Sequence, residues 1–113
     1  MTSYLQDRQL TVALTGESDH HGAKALVWEL RGKIETYLPL CCILDFQEVT
    51  FMDSSGIAVI ISAVRQMRQL GGRVIIQGAQ PQPRKVMHAA GLEKIAELRE
   101  TGPAERSETL EGT

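Results

Sequence analysis

Apolar and polar residues alternate with a period of two across Leu10-Thr11-Val12-Ala13-Leu14-Thr15, which puts Leu10, Val12 and Leu14 on one face. That pattern predicts a strand closed by Gly16, with a short partner strand over Ser3 to Leu5 and a turn at Asp7-Arg8-Gln9. After the polar stretch Glu17 to Gly22 the spacing changes to three and four. Ala23, Leu26, Val27, Leu30, Ile34, Tyr37 and Leu38 form a helical stripe, with Ser18 or Asp19 as its N-cap and Pro39 as its stop. Trp28 lies at the edge of the stripe, and packing is its expected role. Cys41 to Phe46 is apolar at every position but Asp45, the pattern of a central strand covered by helices. Ile57, Ile60, Ile61, Val64 and Met67 predict a second helix running to Leu70, with Gly71-Gly72 as its C-terminal stop. Arg73 to Gln77 reads as a strand, Pro81 to Ala90 as a short helix, and Lys94 to Leu98 as a weak last strand.

The order is strand, strand, helix, strand, helix, strand, helix, weak strand. Such alternation argues for an α/β sandwich whose parallel strands are joined by right-handed crossovers. The 113 residues suffice for one core. The expected division is a domain over residues 1–99 and a mobile tail over residues 100–113, with one helical turn near Ser107 to Leu110.

Charge and composition narrow the function classes. A net charge of -2 without a basic stripe gives no reason to propose nucleic acid. No apolar run approaches the ~20 residues of a membrane span, and no export signal opens the chain, so a cytoplasmic protein is expected. Cys41 and Cys42 are adjacent, so on a strand their side chains diverge. A disulfide between them is disfavoured, and both read as reduced core residues. Without CxxC or CxxH spacing, no metal site is expected.

The chemistry-bearing stretch is Phe51-Met52-Asp53-Ser54-Ser55-Gly56-Ile57, a corner between strand and helix. As a nucleophile, either serine lacks a companion base that the sequence places beside it. The surroundings are not a G-x-S-x-G elbow, and neither phosphate-binding glycine motif occurs, so no enzyme activity is expected. As a structural residue, Ser54 or Ser55 would cap the helix by accepting a free backbone N–H. As a modifiable group, either could carry a phosphate, because a helix N-terminus favours negative charge.

The segments Leu14-Thr15-Gly16-Glu17-Ser18-Asp19-His20-His21 and Phe51 to Ile57, with Gln69-Leu70-Gly71-Gly72 and Gly91-Leu92, resemble the anti-sigma factor antagonist family of STAS domains. Within it, the resemblance is strongest to the sporulation branch acting on the anti-sigma-F factor. It covers residues 3 to 98. It implies an α/β STAS-type sandwich, a mixed four- to five-stranded sheet with helices packed mainly on one face. It also implies a protein that binds an anti-sigma factor serine kinase and so releases a sigma factor. By the same resemblance the kinase phosphorylates the first serine of Asp-Ser-Ser-Gly, here Ser54, and a serine phosphatase acting on phospho-Ser54 reverses this. Asp19, His20, Asp53, Ser54, Ser55, Gly56 and Ile57 would form the partner-binding edge. No cofactor is implied, and a monomer is expected when free. Family members also serve as accessory subunits of transport or stress-signalling assemblies without obligatory phosphorylation. Two departures stand out: Ser18 occupies a position usually apolar, and no apolar helix follows the last strand.

Overall fold

The computed structural model describes residues 2–17 and 20–100. The elements follow the expected order: β1 (Thr2–Gln6), β2 (Gln9–Glu17), α1 (His20–Tyr37), β3 (Cys41–Phe51), α2 (Ser54–Gln69), β4 (Arg73–Gln77), α3 (Pro81–Ala89) and β5 (Glu97–Arg99). A 3-10 turn at Leu92–Lys94 precedes the last strand, which therefore begins later than the Lys94 expected from sequence. The five strands lie in sequence order. β1 pairs antiparallel with β2, and every other neighbouring pair is parallel. Of the tail expected over residues 100–113, all but Glu100 lies outside the described residues, as do the two N-cap candidates for α1, Ser18 and Asp19.

Strand alternation divides the core. Leu10, Val12 and Leu14 of β2, Cys42, Leu44 and Phe46 of β3, and Val74 and Ile76 of β4 join one buried cluster. All three helices contribute to that same cluster, through Leu30 and Ile34 of α1, Ile60 and Met67 of α2, and Met87 of α3. The helices therefore cover one face of the sheet. On the other face Cys41, Ile43 and Ile75 make a smaller cluster of their own. Both cysteines are free and buried, and diverge as alternation requires. Burial, helped by the neighbouring Cys41, pushes the Cys42 thiol up to about 12, which keeps it protonated and unreactive at neutral pH.

Trp28 departs from the sequence expectation. It is 75% exposed and does not pack. Five residues of helix rotate it about 140° from Ala23, onto the side of α1 turned away from the sheet.

The helix ends are set by glycine. Past Leu70 the chain reverses through Gly71 at φ +76, with Gly72 N–H donating to Met67 O at 2.8 Å and Gly71 N–H to Arg68 O at 3.0 Å. Gly72 also lies against the strand entry, where an added Cβ would stand 2.6 Å from Leu40 O. A backbone carbonyl cannot swing aside as a side-chain end can. Gly72→Ala should therefore cost about 1–3 kcal/mol through forced displacement of the α2–β4 connection. Thermal melting checks this, and an unchanged melting temperature would refute the close approach.

One feature of the sheet bears on function. β4 pairs only with Cys41 to Asp45 of β3, whereas β3 continues to Phe51. On its other side the overhang stays paired with β2, through Thr15–Glu48, Gly16–Val49 and Glu17–Phe51, after a register shift. β3 thus projects past β4 at the ends where the chain enters α2 and α3.

Candidate functional site

The projecting strand delivers Met52 into the core and Asp53 and Ser54 to the surface. Met52 is 1% exposed, so the chain is anchored immediately before it turns. Asp53 is extended at φ -127 and ψ -163, the backbone of an N-cap residue, and its Oδ1 accepts the Ser55 N–H at 2.9 Å. The main chain closes the first turn, with Gly56 N–H donating to Asp53 O at 3.0 Å. The cap is therefore Asp53, where sequence reasoning had offered Ser54 or Ser55. The carboxylate has the reach of an Asx cap and gains from the helix dipole, so both serines fall inside the helix. Removing this cap should cost about 0.5–2 kcal/mol in Asp53→Ala but little in Asp53→Asn, which retains an acceptor. Denaturant melts of the two variants test the assignment; equal losses would exclude it.

The two serines now differ. Ser54 is exposed at the first position of α2, and its hydroxyl has no hydrogen-bond partner among the described residues. Ser55 is half-buried, Gly56 is buried and Ile57 is half-buried. Asp53, Ser54, Ser55 and Ile57 thus share one corner, with only Ser54 fully presented. Glu17 pairs with Phe51 and α1 begins at His20, so the start of α1 lies along the same sheet edge. Asp19 lies outside the described residues, and of His20 the backbone alone is described.

Sequence reasoning missed two residues that hold this corner. Where β4 stops, glutamine side chains take over the pairing of β3. Gln80 Nε2 donates to Gln47 O at 2.8 Å. Gln82 Oε1 accepts Met52 N–H at 2.9 Å while its Nε2 donates to Met52 O at 3.0 Å. An amide can serve both bonds because it carries a donor and an acceptor side by side, as a neighbouring strand does. Pro81 and Pro83 alternate with the two glutamines and fix φ at the start of α3, which narrows the directions the amides can take. The signal was present as Gln80-Pro81-Gln82-Pro83, but it reads as no more than a helix start.

The corner offers little catalytic chemistry. His88 Nδ1 lies 3.2 Å from Glu93 Oε2 in the last turn of α3, more than a helical turn beyond Gln82. Among the described residues no cluster of His, Cys, Asp and Glu could hold a metal ion, and no helix is long and apolar enough to cross a membrane. What the corner can do is present one free hydroxyl beside a carboxylate on a stiff support.

Comparison with known proteins gives this arrangement a context. The family model described as the STAS domain matches residues 2–104. An anti-sigma F factor antagonist of Paenibacillus polymyxa is 30% identical over 86 residues, covering 76% of this chain and 74% of that protein. One from Lysinibacillus sphaericus is 29% identical over 83 residues, covering 74% and 71%. The structure of the anti-sigma factor antagonist SpoIIAA in its unphosphorylated form superposes with a TM-score of 0.80 at 25% identity, over 99% of this chain and 96% of that one.

Proposed function

The chain belongs to the STAS domain family, among the anti-sigma factor antagonists, and from that premise we propose that it is a partner switch controlled at Ser54. Unmodified, it binds an anti-sigma factor that is also a serine kinase, and the sigma factor is released. The kinase transfers the γ-phosphoryl group of ATP to the Ser54 hydroxyl, which loses its proton, and ADP leaves. Phospho-Ser54 no longer fits the kinase. A serine phosphatase hydrolyses the ester and restores binding. The protein acts in the cytoplasm and contributes no catalysis of its own. Asp53, Ser55, Gly56 and Ile57 surround the docking point, and Asp19 and His20 complete the edge.

The observation that carries this reading is the division of labour at the start of α2. Asp53 holds the cap, so the exposed Ser54 hydroxyl is not needed for the fold. A phosphate there adds about -1.5 to -2 charges at the positive end of the α2 dipole, which tolerates it, while Asp53 goes on capping. The surface changes and the structure does not.

The test is incubation with an anti-sigma F factor and ATP, followed by intact-mass measurement and peptide mapping. One phosphoryl group on Ser54 is expected. No mass gain, or a phosphate mapped to Ser55 or Thr50, would overturn the assignment.

A further inference from the structure

Beyond the Ser54 corner, the outward face of α2 continues as an unbroken stripe: Ser54, Ala58, Ile61, Ser62 and Arg65. Beside it α1 presents Arg31, held alongside α2 by the bond from Gln66 Nε2 to Arg31 O at 3.1 Å. Arg31, Ala58, Ile61, Ser62 and Arg65 line one shallow groove. Ala58 and Ile61 are its apolar part, Ser62, Gln66 and Gln69 line it as well, and a guanidinium stands on each helix. Both arginines are exposed, and neither guanidinium has an ion-pair or hydrogen-bond partner among the described residues. Two like charges over a groove that no acidic residue lines raise the local positive potential on a chain whose net charge is -2, although the exposed Glu35 stands one helical turn after Arg31. One helical turn before Arg31 on the same side of α1 stands Trp28, 75% exposed. Tryptophan and arginine are the residue types that most often dominate binding energy at protein interfaces.

We propose that this groove is a second docking region, which receives an acidic surface of the same anti-sigma factor that docks at Ser54. Residues equivalent to aspartate or glutamate would pair with Arg31 and Arg65, and an apolar side chain would pack on Trp28 and Ile61. The proposal rests on the partner-switch reading above. Geometry permits both contacts at once. Ser54 to Arg65 spans eleven residues of α2, about 16 Å. A standard interface of about 800 Å² on each partner is roughly 28 Å across. The corner would then carry the switch, and the groove would carry steering and part of the affinity.

The experiment measures association and dissociation of the unmodified chain with an anti-sigma F factor at low and high salt. Arg31→Glu/Arg65→Glu should slow association at least about tenfold at low salt, and the deficit should shrink at high salt as the charges are screened. Trp28→Ala should speed dissociation about tenfold. All three positions are exposed, so circular dichroism should match wild type. In phosphorylation assays the charge reversal should raise KM and leave kcat for Ser54 unchanged, a split that a folding defect would not give. Association within about twofold of wild type overturns the groove and leaves the Ser54 switch standing. Self-association of the wild-type chain that the charge reversal abolishes would overturn it in favour of a second copy as occupant. A wild-type chain that fails to bind the anti-sigma factor at all overturns the partner-switch reading and the groove with it.

Discussion

Ser54→Asp should weaken binding to the anti-sigma factor by about one to three orders of magnitude while the fold melts as before. The added carboxylate would stand beside Asp53, in a corner that the partner must cover. Docking strips water from the added carboxylate, and an acidic group of the partner about 4 Å from it would repel it by about 4 kcal/mol at an effective dielectric near 20, with each 1.4 kcal/mol tenfold in affinity. Exposure at the rim reduces that figure. The fold is spared because Asp53, not Ser54, bonds the Ser55 N–H. Ser54→Ala removes the phosphate acceptor without adding charge, so it should bind as the unmodified protein does and gain no mass with ATP. Titration calorimetry of the three proteins decides the matter. Affinity for Ser54→Asp within a factor of about two of wild type would mean that charge at this corner is not the switch.

Gln82→Ala should lower stability by about 2–4 kcal/mol and loosen the corner before it loosens the sheet. It leaves two part-buried backbone groups of Met52 without partners, and each such loss costs about 1–3 kcal/mol. For a domain of this size the melting temperature should fall by roughly 10–20 °C. Gln82→Glu is the informative companion. It keeps an acceptor for Met52 N–H but sets a carboxylate oxygen against Met52 O, so it should also destabilise at neutral pH, and the loss should shrink in acid, where the protonated carboxyl can donate to Met52 O. Hydrogen exchange adds a local readout: the Met52 and Ser55 amides should exchange faster in both variants, ahead of those of β2 and β3. Equal stability of Gln82→Ala and wild type would remove the clamp from the account. Because the clamp holds the segment that carries Ser54, the variant should also be a poorer kinase substrate even at temperatures where it remains folded.

The elements were readable because each announces itself locally. Leu10, Val12 and Leu14 alternate, Ile60, Val64 and Met67 recur at helical spacing, and Gly71 and Gly91 mark reversals that require positive φ. The corner at Asp53-Ser54 was readable too, since a strand must give way to a helix there. Its inner workings were not. Asp, Ser and Ser are all good caps, and only the observed backbone shows that Asp53 occupies the N-cap position and Ser54 the first turn. Trp28 was misjudged because an apolar residue near a stripe reads as part of it, whereas the helix turns it out to solvent. The glutamine clamp was invisible because Gln82 and Met52 are thirty residues apart and glutamine has no periodic signature.

The sequence by itself determined the order of elements, the α/β class and the position of the strand-to-helix corner that carries the two serines. Those properties follow from short-range periodicity and turn chemistry, which act within a few residues. Tertiary structure decided that β3 outruns β4, that side-chain amides from α3 replace the missing strand, and that Ser54 is left free while Asp53 caps. It also brought Arg31 and Arg65 to one groove from separate helices. Each of these is a meeting of distant residues. The chain specifies them only through the packing of its helices on one face of the sheet.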